Sequence, residues 1–479
     1  MYASLPCFLL LYSLAAAQAP TVIEICSQNE NGFPCRCDAV KYTVDCSNEE
    51  LHTTKLRPIY GANWPLKVLN LQQNHLTMIY KDNIVPGFEE KLEYLDLSNN
   101  IIVRIQPGSF RNMNSLQKLD LANNRITKLT TDMFDADLAW NLEELDLTQN
   151  RLENLTGNIF ENLTDLRYLY LDDNPIRNID AKTFRGLKNL EELTMENTGM
   201  HYIGEDFLKP LYNLETLSLR DNRFLVVPSL HGLRRLKSLD LSGNPITEIT
   251  SNAFKPVPTL TQLSITHMPH LWAIEDCAFC GLTRLTELRA FDSKKLYTVD
   301  ELAFGNDPKF EDQLDVDFEN CGLSTLSENL PWEQMSTIKL ARNPWLCDCK
   351  LKWLTRDDIQ LKIQRPPLCS APEKLANHTV TLVHESEFTC VTPKQLAMYR
   401  VGRVFFVLTL LVLAVSAVLL IWFMWLGRGP NRLSLKGLLR KNPMPKYAYR
   451  NLAMAAADDT AEDVILDRER EKPPEPVQV

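Results

Sequence analysis

The sequence predicts an α/β solenoid, a stack of short coils curved into a horseshoe, with cysteine-rich caps, one transmembrane helix and a disordered tail. Three observations lead there. The pattern L-x-L-x-x-N-x-L recurs from Leu69 to the 340s. Phenylalanines recur at a matching period between the leucine blocks. Cysteines cluster on either side of the repeated stretch, from Cys26 to Cys46 and from Cys347 to Cys390. Periods of this length mark architectures in which no coil can bury its apolar face alone.

Twelve units align on the template. They begin at Leu69, Leu95, Leu119, Leu145, Leu169, Leu193, Leu217, Leu239, Leu263, Leu288, Val316 and Ile338, spaced by 22 to 28 residues. Alternating leucines predict a short strand with one face inward. The asparagines (Asn74, Asn100, Asn124, Asn150, Asn174, Asn222, Asn244 and Asn343) turn the chain, and their amides can bond backbone groups of adjacent coils. A second spine is expected on the convex side from Phe110, Phe134, Phe160, Phe184, Phe207, Phe254, Phe279 and Phe304. The template resembles that of the leucine-rich repeat proteins, which implies a horseshoe spanning residues 67–343.

An open stack exposes core at both ends and needs caps. In LARNPWLCDCKLKWL (340–354), two cysteines one residue apart cannot pair with each other, so each needs a distant partner. The stretch resembles the C-terminal flank of extracellular leucine-rich repeat proteins, here 344–391. That resemblance implies Cys347–Cys369 and Cys349–Cys390, with Trp345, Leu351 and Trp353 over the open end. Cys26, Cys35, Cys37 and Cys46 resemble the N-terminal flank, here 18–66, implying Cys26–Cys37 and Cys35–Cys46. After loss of the leader eleven cysteines remain, an odd number, in an oxidising compartment.

The asparagine position departs from the template at Thr198, Met268, Ser293 and Cys321. Three departures cluster between Leu263 and Leu326, where two units also carry an extra residue. Ordinary repeat decay near a cap explains this; a local bulge presenting Trp272, Phe291 and Tyr297 is the functional reading. His267, His270, Cys277 and Cys280 spell HxxH…CxxC, but a coil sets His267 at a strand end and Cys277 across on the convex side, too far apart for one zinc ion. Cys277 and Cys280 form a further candidate disulfide; unpaired, they leave a thiol for intermolecular bonding. Cys321 replaces a buried asparagine and reads as a free core thiol.

Residues between the leucines face the concave side. They include Tyr94, Asp96, Asp120, Glu144, Asp146, Tyr168, Tyr170, Asp172, Glu192, Glu196, Arg220 and Asp240. Tyrosines among acids make a protein-binding strip, with Tyr94, Glu144, Tyr168, Tyr170, Asp172, Glu192 and Arg220 as contact residues. Aspartate at the middle position is common in such repeats and says less than the Tyr168–Tyr170 pair. The sequons are Asn154-Leu-Thr, Asn162-Leu-Thr and Asn377-His-Thr; the first two follow a strand and place glycans toward the flank and convex side, away from that face.

Residues 1–17 read as a signal peptide, with an apolar run from Cys7 to Leu14 and then small residues. Residues 404–426 hold 23 uncharged, apolar residues, long enough to span a bilayer. Seven basic residues and no acid follow up to Arg450, which puts the tail in the cytoplasm and the N-terminus outside. Upstream of the tail stand 41 basic and 53 acidic residues, a net of −12. That balance argues against nucleic acid and anionic glycans as main ligands and mildly favours basic ones. A stalk of 392–403 leaves no room for a further domain before the membrane. The tail, 427–479, has a disordered composition and is too short for a kinase. Tyr449-Arg-Asn-Leu452 matches a tyrosine-based sorting pattern, and Val477-Gln-Val479 resembles a PDZ ligand.

No catalytic constellation and no cofactor motif is legible. Repeats, two flanks, one span and a short tail resemble the leucine-rich-repeat transmembrane neuronal proteins and their invertebrate adhesion relatives. The resemblance implies a plasma-membrane adhesion or recognition protein with an extracellular protein ligand. The alternative is an auxiliary subunit of a channel or receptor in the same membrane, favoured by the short stalk and the basic cluster.

Overall fold

The computed structural model describes residues 35–390, with short gaps at 59–63, 82–83, 135–137 and 139–140, together with 23–25, 405–419 and 422. Two compact units divide the chain, Met1–Val391 and Thr392–Val479. The first unit is a β-solenoid. Each template unit donates a short strand to a single 14-stranded sheet. Thirteen of these strands run parallel, from Thr43–Asp45 in the first cap to Met335–Lys339. Arg36–Asp38 adds an antiparallel edge to Thr43–Asp45. The first cap thus supplies a thirteenth coil strand beyond the twelve template units.

The α/β class is corrected by what lies behind the sheet. Among the described residues the far sides of the coils carry turns, the 3-10 segment Thr131–Met133 and two-residue strands such as Asn154–Leu155 and Asn178–Ile179. Strand spacing of about 4.8 Å cannot be matched by helices about 10 Å wide without splaying the stack.

The eight spine phenylalanines are all buried. Neighbours touch in series, with Phe160 and Phe184 at 6.4 Å between ring centres, Phe184 and Phe207 at 5.0 Å, and Phe279 and Phe304 at 5.1 Å. The inward leucines, Leu145, Leu147 and their counterparts, are fully buried.

The asparagine ladder works as a set of staples. Asn150 donates Nδ2 to the Leu121 carbonyl of the previous coil at 2.9 Å and to the Leu147 carbonyl of its own at 3.1 Å. Its Oδ1 accepts from the Ile126 N–H at 3.0 Å. Truncating Asn150→Ala leaves these buried backbone groups without their partner. A loss of about 2–3 kcal/mol is expected, measured by chemical denaturation. The departures serve in part. Thr198 Oγ1 reaches the Met195 carbonyl and Asn222 Oδ1, and Ser293 Oγ accepts from the Met268 N–H.

A second regularity lies one residue earlier. Gln73, Asn99, Asn123, Gln149, Asp173, Asn197, Asp221, Gly243, His267, Asp292, Asn320 and Arg342 all have left-handed φ. This turn explains why Asn, Asp and Gly crowd that column, since they tolerate positive φ best. At Gly243 a Cβ would lie 1.9 Å from Asp221 Oδ1, so a side chain there would have to displace the Asp221 carboxylate.

The second cap is tryptophan-rich. Trp345 is fully buried and donates Nε1 to the Leu340 carbonyl at 2.9 Å. Trp353 stacks on Trp332 at 4.4 Å. Cys347 is joined to Cys369 and Cys349 to Cys390. In the first cap Cys35 is joined to Cys46. Cys37 is disulfide-bonded, and its expected partner, Cys26, lies outside the described residues. Residues 405–419 are helical and exposed. No helix among the described residues is long and apolar enough to cross a membrane, and both ends of the 404–426 run lie outside them.

Candidate partner-binding surface

Strand register decides which concave residues meet. Tyr94, Lys118, Glu144, Tyr168 and Glu192 are successive register partners and form one row across five strands. Asp96, Asp120, Asp146, Tyr170 and Thr194 form the next row. Asp172 and Glu196 extend the field past the strand ends. The structure thus brings together six of the seven contact residues predicted from the sequence. Arg220 lies at the field's border, one coil beyond Glu196 in the same column; it pairs with Asp221 at 3.1 Å, and its charge is also favoured by Asp240 and Glu196.

Several carboxylates already have structural work. Asp96, Asp120 and Asp146 each accept from the backbone N–H two residues on, closing the turn at the strand end. Asp172 accepts from the Thr194 hydroxyl and the Glu196 N–H, both at 2.6 Å. Tyr94 donates to Asp96 at 3.2 Å. Lys118, which sequence reasoning passed over, is the cation in this field: it pairs with Glu144 at 2.7 Å and lies 5.3 Å from the Tyr94 ring centre. At the start of the strand, Arg167 sits 5.6 Å from the Tyr168 ring centre, held by both oxygens of Glu191. Its guanidinium restrains the Tyr168 ring.

Crowded, half-buried carboxylates resist ionisation. Burial pushes Asp120 up to about 6, opposed by the Ala122 N–H and reinforced by Asp146 and Asp96. Glu192 is raised by burial and by Glu144. The Tyr170 hydroxyl is pushed up to about 12 by burial, then by Glu192, Glu144 and Asp146. It therefore stays a neutral donor at physiological pH. The surface offers aromatic anchors, hydrogen-bond donors and carboxylates short of cations, the features that suit a protein carrying basic groups.

The other singled-out residues divide. Trp272 and Tyr297 are exposed on consecutive coils, linked by the Tyr297 N–H to the Trp272 carbonyl at 3.0 Å. Phe291 packs edge-on against His267 at its strand's end instead. His267 faces Asp292 at 3.3 Å, His270 contacts Lys295, and Cys277 is joined to Cys280. These side chains therefore have partners other than one shared ion. Cys321 is a buried free thiol 3.3 Å from the Ala290 carbonyl, pushed up to about 12 by burial. Such a thiol is a poor nucleophile. Asn154, Asn162 and Asn377 are exposed, none of them on a strand of the long sheet. Tyr449, Leu452, Val477 and Val479 lie outside the described residues.

The repeat template, the parallel sheet and the staples define a disulfide-capped leucine-rich repeat solenoid. Comparison with known proteins agrees. The family model described as Leucine rich repeat matches residues 90–136, 141–200 and 212–271. Chondroadherin of Rattus norvegicus is 30% identical over 106 residues, 22% of this chain and 28% of that protein. Tsukushi of Mus musculus is 27% identical over 255 residues, 53% of this chain and 64% of that protein. The chain therefore spans less than two thirds of either relative. A chain of the octameric complex of Latrophilin 3, Unc5D and FLRT2 (LRR) superposes with a TM-score of 0.54 at 20% identity, over 74% of this chain and 99% of that one. A chain of the Toll–Spatzle complex of Drosophila gives 0.55 at 21% identity, over 73% and 48%. At these identities the likeness speaks for the fold.

Proposed function

We propose that the chain is a cell-surface recognition protein that binds an extracellular protein through the Tyr94–Glu196 field of its long sheet. The observation that carries this reading is the two-row register. It sets Tyr168 and Tyr170 side by side on one strand, with carboxylates on either side and one lysine among them. The neighbours lend support: the solved complexes named above hold FLRT2 (LRR) with Latrophilin 3 and Unc5D, and Toll with Spatzle. The exposed apolar helix at 405–419, inside the uncharged 404–426 run, supports single-pass attachment to the plasma membrane. Tail sorting through Tyr449 and Leu452, and PDZ binding through Val477 and Val479, complete the proposal.

The test is a screen of the full chain, displayed on cells, against a panel of extracellular domains, with extraction of membranes at high pH as a check of attachment. Saturable binding in trans supports recognition. Binding confined to neighbours in the same membrane favours the auxiliary-subunit alternative and counts against ours.

Acid should weaken the proposed contact. Asp120 is protonated more readily in the folded chain, so its proton favours folding at low pH. That contribution is lost as pH rises from the unfolded value of 3.8 through about 6. A basic partner needs the ionised form. Affinity is therefore expected to fall severalfold between pH 7 and pH 5, and Asp120→Asn should flatten that dependence. Calorimetry in two buffers of different ionisation enthalpy would detect the protons released on binding near pH 6.

A further inference from the structure

Cys277 and Cys280 close a loop that the solenoid does not need sulfur to make. Cys277 has left-handed φ, Phe279 is buried, and the Cys280 N–H reaches the Cys277 carbonyl at 3.3 Å. The previous coil builds the same turn from Asn252, Ala253, Phe254 and Lys255, with left-handed Asn252 and a bond of 3.1 Å from Lys255. Coil two builds it again from Gly108 to Arg111, at 3.3 Å. Neighbouring coils also grip the cysteine turn. Asn252 N–H donates to the Cys277 carbonyl at 2.9 Å, Cys277 N–H to Leu302 at 2.8 Å, and Phe279 N–H to Ala303 at 2.8 Å.

A disulfide and a fold stabilise each other by the same amount, because the two equilibria form one thermodynamic cycle. Cys277–Cys280 spans a sequence separation of 3, against 22 and 41 for the second cap's pairs. So short a loop removes less entropy from the unfolded chain than the loops of the second cap do. By reciprocity the fold protects this bond less from reduction. It also leaves the bond accessible. Both sulfurs belong to half-exposed residues, whereas Cys46, Cys347 and Cys369 are buried; Cys349 is half-exposed and Cys390 exposed, so that pair differs from this one by its longer loop and not by its access. A cavity of about 380 Å³ opens beside Cys280, lined by Phe279, Gly281, Gly305, Lys309 and Phe310. Gly305 is the near wall: a Cβ there would lie 3.1 Å from Cys280 Sγ.

We propose that Cys277–Cys280 is a thiol–disulfide exchange site, reduced by an external dithiol while the solenoid stays folded. A thiolate of the dithiol bonds to Cys280 Sγ as the Cys277–Cys280 bond breaks. Cys277 leaves as a thiolate beside the Asn252 side chain, 4.0 Å away, and takes a proton. The second thiol of the reagent then attacks its own sulfur in the mixed disulfide. Cys280 is released, two electrons have passed to the protein, and the reagent leaves oxidised. The product is a surface dithiol on the side opposite the proposed partner face, set between the spine residues Phe254 and Phe304.

The test titrates the full chain with dithiothreitol in native buffer, then scores each cysteine by differential alkylation and peptide mass spectrometry. Cys277 and Cys280 are expected to be half-reduced at about one tenth of the concentration that Cys35–Cys46 and Cys347–Cys369 require. The Cys277→Ser/Cys280→Ser double variant should melt within about 2 °C of the parent. Reduction of this pair only together with the caps, alkylation before any reductant is added, or a double variant that melts far lower would each overturn the proposal. None of these outcomes depends on the partner-binding reading, which concerns the other side of the coil.

Discussion

Replacing Trp345 by alanine will destabilise the solenoid more than any single substitution within its coils. The indole is fully buried, bonded through Nε1 to the Leu340 carbonyl of the last coil, and opposite Cys369 in the short strand pair that closes the cap. Removing a buried tryptophan typically costs about 3–5 kcal/mol, and here the void opens directly onto the end of the stack. The Leu340 carbonyl also loses its donor. A substantial drop in the midpoint of chemical denaturation is expected. Because repeats unfold from exposed ends, hydrogen exchange should accelerate first in the strand Met335–Lys339 and its neighbour Leu314–Asp317. Uniform acceleration along all thirteen parallel strands, or no loss of stability, would show that the tryptophan is not the closure.

The second large effect concerns binding. Tyr168→Ala with Tyr170→Ala removes both aromatic anchors from the centre of the acidic field while leaving Leu169, fully buried, to hold the strand. Central aromatic residues at interfaces commonly carry about 2 kcal/mol or more each, about thirtyfold apiece, so the double variant is expected to lose roughly several hundredfold in affinity. Both side chains are half-exposed, so the melting temperature should change little. Tyr202→Ala is the matched control, because Tyr202 is exposed and lies on no strand of the long sheet.

Much of this architecture was legible because the residues that build it act through period and side-chain type. The leucines, the asparagine staples and the phenylalanine spine each announce one position per coil, and one coil is physically like the next. Register followed too: once the strands are parallel and in phase, Tyr94, Glu144, Tyr168 and Glu192 must share a row. What the sequence hid depends on contacts between coils. Lys118 sits at an ordinary strand position, and only its reach to Glu144 and Tyr94 makes it part of the field. Trp332 lies outside the repeat template, and its place under Trp353 shows only when the cap folds back. The α/β class was misread because it came from the family pattern, and the apolar spacing at Ile246–Leu260 could not correct it: those residues would fit one helix face as well as they fit the turns found there among the described residues. The left-handed column before the asparagines was visible as a run of Asn, Asp and Gly, and its meaning lay in a backbone angle that the leucine template leaves unstated.

The most direct measurement is the footprint of a captured partner on the full chain, by hydrogen–deuterium exchange of the free and bound protein. The account predicts protection concentrated in the strands Tyr168–Tyr170 and Glu192–Thr194 and the turns that follow them, fading toward Glu287–Arg289. Protection confined to the far side of the coils, around Trp272 and Tyr297, with the tyrosine rows unchanged, would contradict it.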